Sequence, residues 1–75
     1  MNVVNKKPNL AMAKRMLKAG NPGLVNVEVK WGRKPALCQD FNNAYWWSSD
    51  VIVSADGYKP KRMMLSVDWE GCHLR

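Results

Sequence analysis

The side chains with the clearest chemical potential in this 75-residue chain are basic, and they are concentrated in its first half. Up to Lys34 the formal charge is +7, with Glu28 as the only acid, whereas the rest of the chain carries −1. Such a concentrated positive field attracts phosphates or an acidic protein surface, although solvated basic faces are also common in proteins that bind neither. The side chains that we expect to contact nucleic acid are Lys14, Arg15, Lys18, Arg33, Lys34, Lys61 and Arg62.

The aromatic run Tyr45-Trp46-Trp47 is the second candidate site. In an extended strand, neighbouring side chains point to opposite faces, so Trp46 and Trp47 cannot share one core. An exposed indole can stack on an unpaired base or anchor a protein interface. The alternative is that a small sheet uses both faces and a loop covers the second ring. Trp31 and Trp69, which each close an alternating segment, are expected in the core.

Catalytic and metal-binding chemistry have little support in the sequence. His73 is the only histidine, and no recognisable motif pairs it with a nucleophile and a carboxylate. Cys38, Cys72 and His73 offer three zinc ligands where structural sites take four, and no paired C-x-x-C motif is present. We therefore expect no enzyme activity, no metal and no cofactor. Cys38 and Cys72 could form one disulfide, but in a reducing compartment we expect both thiols to stay reduced.

Length and composition predict one small domain over residues 1–75. Four tryptophans and 47% apolar residues are typical of a folded domain rather than a disordered basic tail. No apolar run approaches the roughly 20 residues that span a bilayer, and the first residues do not resemble a signal peptide. The expected location is the cytoplasm, without a membrane partner.

The elements that must position these side chains begin with a helix. Leu10 to Ala19 has apolar residues at helical spacing on one side and Lys14, Arg15 and Lys18 toward the other. Asn9 suits the N-cap, and Gly20 suits a left-handed residue after the last turn.

The pattern then changes to the alternation of strands. We expect a strand from Val25 to Trp31, a basic turn over 32–35 and a weaker strand from Ala36 to Phe41, with a break at Asn42-Asn43. Trp46–Ser54 and Met63–Trp69 predict a hairpin. Because Pro60 disfavours a tight turn at Asp56-Gly57, we expect a longer loop there, and Gly71–Arg75 as a tail.

Together these elements predict an α+β fold in which one N-terminal helix packs on a small antiparallel sheet of three to four strands. The other sheet face would be solvent-exposed or covered by a partner.

The leading functional hypothesis is a small non-enzymatic regulator that binds DNA or RNA through its Lys and Arg side chains, with tryptophan stacking. The alternative is an inhibitor or adaptor of the kind that phage-like mobile elements encode. It would bind a host protein, such as a nucleic-acid enzyme, through Tyr45, Trp46 and Trp47. A small nuclease or toxin is a third possibility, without a visible active site. The oligomeric state is open.

Overall fold

In the computed structural model, which describes residues 7–39, 41–42 and 44–75, one helix packs on one antiparallel sheet. The helix α1 spans Leu10–Gly20. The strands pair in chain order and span Glu28–Gln39 (β1), Tyr45–Ala55 (β2), Tyr58–Asp68 (β3) and Gly71–Leu74 (β4). The predicted α+β arrangement is confirmed, with four strands. In the described part of the chain, no helix has the length and apolar character needed to cross a membrane.

Local signals determine where α1 begins. The Asn9 side chain accepts a hydrogen bond of 2.8 Å from the backbone N–H of Met12, which confirms Asn9 as the N-cap. The end of the helix differs from the expectation. Gly20 is the last helical residue, and Asn21 is the C-cap, with its backbone N–H bonded to the Leu17 and Lys18 carbonyls. Gly20 therefore does not act as a left-handed terminator.

The core lies between α1 and one face of the sheet. Its centre consists of Ala13, Val51, Val53 and Leu65, and half-buried apolar residues of α1, β1, β3 and β4, Trp31 among them, pack around it. Ser49 is also fully buried there, and its hydroxyl donates a 2.7 Å hydrogen bond to the Leu65 carbonyl. This bond satisfies the buried hydroxyl, so the core tolerates a polar side chain.

Strand β1 differs most from the sequence prediction. The Gly-Arg-Lys-Pro segment over 32–35 is not a turn: β1 continues through it to Gln39, with register shifts on both sides of Arg33. The two segments predicted as separate strands are therefore one bulged strand. It also begins later than expected, at Glu28, because Val25 lies outside the sheet and is 58% exposed. Asp40 and Asn43 lie outside the described residues.

The connection between β2 and β3 is tighter than expected. Ala55 pairs with Tyr58, so Asp56-Gly57 forms a two-residue turn, with Gly57 at a positive φ of 83°. Pro60 is tolerated within β3 because β4 pairs only with Leu65–Asp68, which leaves the first half of β3 at the sheet edge. The predicted long loop is wrong because the edge position removes the penalty assumed for Pro60.

The last residues form a strand and not a tail. In the turn before β4, the Asp68 carboxylate accepts hydrogen bonds from the Glu70 and Gly71 backbone N–H groups, at 2.8 and 3.2 Å. Trp69 lies in this turn and is 68% exposed, so its predicted place in the core is wrong. The core contribution comes instead from Cys72 and Leu74 of β4, which pack against it.

Candidate functional site

Two surfaces of the sheet are chemically distinct, and strand register assigns each residue to one of them. The helix side holds α1 and the core, including Val53 of β2. The opposite side, here called the open face, carries Asp50 and Ile52 of the same strand, because successive strand residues alternate. The open face adjoins the helix at one edge, where Leu10, Ala11 and Lys14 of α1 line a depression together with Lys30, Ile52 and Pro60. The candidate functional residues divide between these two surfaces.

Five cations lie on the helix side. Three project from α1, and two come from the start of β3, where they border the same surface depression as Leu17 and Asn21. All five are exposed. We call them the helix-side patch: Lys14, Arg15, Lys18, Lys59 and Lys61.

The helix-side patch is not neutralised by ion pairs. α1 itself has no acidic residue, and no described carboxylate lies within ion-pair distance of any member of the patch. Glu28 and Asp56, the latter accepting a 2.7 Å hydrogen bond from Asn26, border a depression beside Lys14 and Lys18, but these two carboxylates are outnumbered by the five cations. The patch therefore keeps an excess of positive charge directed at solvent.

On the open face, two arginines share one carboxylate. Asp50 Oδ2 accepts hydrogen bonds from Arg62 Nη2 at 2.9 Å, from Arg62 Nε at 3.3 Å and from Arg33 Nε at 3.3 Å. Arg33 Nη2 also donates to the Ser48 hydroxyl at 2.7 Å. The hydrogen bonds from Arg62 and then Arg33 hold the pKa of Asp50 below its ordinary value. This cluster fixes two guanidinium groups from β1 and β3 above the central strand.

Gly32 makes room for the cluster. A Cβ atom at Gly32 would lie 3.2 Å from Ile52 Cδ1 and 3.4 Å from the Arg62 guanidinium carbon. The absence of a side chain in the bulged part of β1 therefore lets Arg62 extend across β2 toward that strand. The basic segment predicted as a turn is therefore the part of β1 that makes space for Arg62, which reaches it from β3, two strands away.

The aromatic run begins at the opposite end of β2 from the Asp56-Gly57 turn. Trp46 pairs with Cys38 on the open face, and Trp47 pairs with Leu37 and Val67 on the helix side. Both indoles are half-buried, and Tyr45 is exposed. Lys7 lies over the Trp47 ring at 5.7 Å from the centroid, a cation–π distance. The two indoles therefore face opposite surfaces, as alternation predicts.

Three further exposed apolar residues lie at the same end and were not identified from the sequence. Trp69 borders a small depression with Tyr45 and Trp46. Leu37 is 51% exposed and Phe41 is fully exposed. The sequence could have identified them by their position in or beside the β1–β2 and β3–β4 connections, because apolar side chains there have little to pack against. We call this surface the aromatic end: Leu37, Phe41, Tyr45, Trp46 and Trp69.

The cysteines and the histidine are not brought together. Cys38 lies on the open face of β1, and Cys72 lies on the helix side of β4, so no disulfide joins them. His73 Nε2 lies 3.3 Å from Asp68 Oδ1. Burial raises the pKa of Asp68, but the Glu70 N–H and His73 outweigh it, so the net pKa is lowered. Among the described residues, no three potential ligands converge on a metal site.

The predicted basic residues thus fall into two groups. Lys14, Arg15, Lys18 and Lys61 share the helix side, joined by Lys59, whereas Arg33 and Arg62 lie on the open face with Asp50. Lys34 is exposed in the bulged part of β1. The predicted stacking rings lie at the other end of the sheet from the β2–β3 turn. Comparison with known proteins adds no assignment, because no family model, curated protein or solved structure gives a significant match.

Proposed function

We propose that this protein is a non-enzymatic nucleic-acid-binding protein whose helix-side patch contacts the phosphate backbone. The observation that supports this most directly is that five exposed cations share one surface without a described ion-pair partner. Exposed cationic side chains without an ion-pair partner release counterions from a nucleic acid when they bind its phosphates. This release gives affinity without sequence preference.

The spacing of the cations along α1 suits contact with a phosphate backbone. Lys14 and Lys18 are one turn apart and lie on the same side of α1, with Arg15 beside them. Lys59 and Lys61 flank the second half of α1. A phosphate chain that follows the helix would therefore meet cations on both of its sides. Because the α1 cations are exposed, removing their charge should not disturb the core.

The experiment compares two triple variants with the same change in net charge. One is Lys14→Gln, Arg15→Gln and Lys18→Gln on the helix side. The other is Arg33→Gln, Arg62→Gln and Arg75→Gln on the open face, where Arg75 pairs with Met64 and Met64 with Asp50, because Lys30 borders the same depression as Lys14. Binding to labelled single- and double-stranded DNA and RNA is followed by fluorescence anisotropy over a range of salt concentrations. Urea unfolding monitored by tryptophan fluorescence confirms that each variant folds.

We expect the helix-side variant to lose affinity about tenfold or more, and its salt slope to fall by about 0.9 per lost phosphate contact. The open-face variant should retain the parent affinity for a single duplex within about threefold. Equal losses would show that only total charge matters, which would contradict a helix-side site. No binding by the parent protein at low salt would refute the proposed function.

A second candidate function is the binding of a protein partner through the aromatic end. The observation that favours it is the exposure of Trp69 and Phe41 beside Tyr45 and Trp46, all at one end of the sheet. Aromatic side chains of this kind supply most of the energy of many protein interfaces. An inhibitor or adaptor that acts on a host nucleic-acid enzyme would use this end and would not require the helix-side patch.

A further inference from the structure

Three surface depressions adjoin one another around the end of β2 that leads into the Asp56-Gly57 turn. The first lies between the second half of α1 and the start of β3, and the other two lie between α1 and the start of β1. Ser54 lines all three, and Lys14 lines both the second and the third. The depressions therefore form one continuous groove. We call it the lysine groove, after the described lysines that line it: Lys14, Lys18, Lys30, Lys59 and Lys61.

Positive charge predominates along the lysine groove. The described carboxylates that line it are those of Glu28 and Asp56, and none of the described ion pairs joins either of them to a lysine. Asp56 instead accepts a hydrogen bond from Asn26. A phosphate backbone is the polyanion that complements such a row of cations. The groove therefore extends the proposed contact surface from the helix-side patch to Lys30 of β1.

An aromatic ring lies in the first depression beside two of these lysines. Tyr58 is the first residue of β3, is 68% exposed and lines this depression together with Lys59 and Lys61. Its pairing with Ala55 closes the two-residue turn, so the backbone that carries the ring is held by the hairpin. Proteins that bind single-stranded nucleic acid combine a cationic groove with exposed aromatic rings on which bases stack. Tyr58 was not identified as a candidate from the sequence.

The third depression offers the chain a mixed apolar and cationic surface. Leu10, Ile52 and Pro60 contribute apolar walls, and Lys14 and Lys30 contribute the cations. Its volume is 460 Å³, within the range of about 300 to 1,000 Å³ in which proteins hold small organic ligands. A single nucleotide unit can therefore place its sugar or base against the apolar walls while its phosphates meet the two lysines.

We infer that the lysine groove binds single-stranded nucleic acid, with phosphates along the lysines and an unpaired base stacked on Tyr58. The inference rests on the proposed function and specifies the form of nucleic acid that the surface binds. A duplex keeps its bases stacked inside the helix, so it offers no free base face to Tyr58. Charge alone favours the duplex, because its phosphates are more densely spaced and release more counterions. A preference for the single strand therefore reports contacts with bases.

The test compares the binding of labelled oligo(dT), oligo(U) and a DNA duplex, each about 12 nucleotides long, by fluorescence anisotropy at several salt concentrations. Tyr58→Ala removes the ring, and Tyr58→Phe retains it as the conservative control. Lys30→Gln removes the cation at the far end of the groove. Arg75→Gln is its matched control, because it removes one charge outside the groove. Urea unfolding confirms that each variant folds, which is expected because Tyr58 is exposed.

The parent protein should bind at least one of the single strands about tenfold or more tightly than the duplex. Tyr58→Ala should weaken single-strand binding about tenfold and duplex binding by less than about threefold, whereas Tyr58→Phe should stay within about twofold of the parent. Lys30→Gln should lower the salt slope for the single strand by about 0.7, and Arg75→Gln should leave it unchanged.

Two results would overturn the inference and leave the proposed function intact. One is duplex binding as tight as single-strand binding, with both lost in the helix-side triple variant. The other is single-strand binding that Tyr58→Ala leaves unchanged or weakens no more than duplex binding. Failure of the parent to bind any of the three nucleic acids at low salt would overturn both the inference and the proposed function.

Discussion

At the scale of residues, Asp50 organises the open face, because one of its oxygens accepts hydrogen bonds from arginines on both neighbouring strands. The sequence offered six carboxylates with no means of choosing among them. The choice depends on cross-strand register, which brings Arg33 opposite Asp50 and places Arg62 one row away. A carboxylate flanked in this way contributes to folding through its lowered pKa.

The contribution of Asp50 makes the free energy of unfolding depend on pH. The pKa of Asp50 is lowered in the folded state, first by Arg62 and then by Arg33. The stabilisation is complete above the ordinary aspartate pKa of about 3.9 and is lost as pH falls through the lowered value. Asp50→Asn should therefore reduce the decline in unfolding free energy below about pH 4. Urea unfolding at a series of acidic pH values, followed by tryptophan fluorescence, measures this decline.

The two arginines provide the matched comparison for this prediction. Arg62→Gln and Arg33→Gln should each flatten the acid decline, because the hydrogen bonds from Arg62 and then from Arg33 are the largest causes of the lowered pKa of Asp50. In the Asp50→Asn background, neither arginine substitution should change the decline further. An acid profile of Asp50→Asn identical to that of the parent would show that the bonds to Asp50 do not contribute to folding stability.

At the scale of elements, α1 was predictable because its signals are local. Asn9, the apolar spacing and the basic outer side lie within the helix or next to it, and the helix was placed to within one residue. The ends of the strands were not predictable in this way. Gly32 and Pro35 are typical of a turn, yet β2 pairs with β1 on both sides of them. Strand pairing outweighs the local preference because it satisfies many backbone groups at once.

The strand β4 was missed for the same reason, and it offers a test at this scale. Leu74 pairs with Leu65 and packs against the core, whereas Leu37 is 51% exposed. Leu74→Ala should lower the free energy of unfolding by about 1 to 3 kcal/mol, less than a fully buried leucine costs. The matched change Leu37→Ala should cost about 0.5 kcal/mol or less. Urea unfolding of both variants measures the difference, and equal effects would mean that β4 does not stabilise the fold.

At the scale of the whole molecule, the helix-side patch and the aromatic end lie toward different ends of an elongated body with a long dimension of 43 Å. Trp46 and Val53 mark the two ends of β2 and lie seven residues apart, or about 23 Å at a strand rise of about 3.3 Å. Lys61 pairs with Val53, and Trp69 borders Trp46. The proposed phosphate contact by the helix-side patch and the proposed docking at the aromatic end can therefore be tested by separate substitutions.

The aromatic end can be altered without changing the helix-side patch or the core, because its outermost rings are exposed. Phe41→Ser with Trp69→Ser should change the free energy of unfolding by only about 0.5 kcal/mol, since neither side chain contributes to the core. If the aromatic end binds a partner, this variant should lose a protein that the parent captures from a cell lysate, while its duplex affinity stays the same. The helix-side triple variant should show the reverse pattern. A loss of stability well above 1 kcal/mol would instead show that the rings support the fold, and unchanged capture would exclude them as the anchor of the interface.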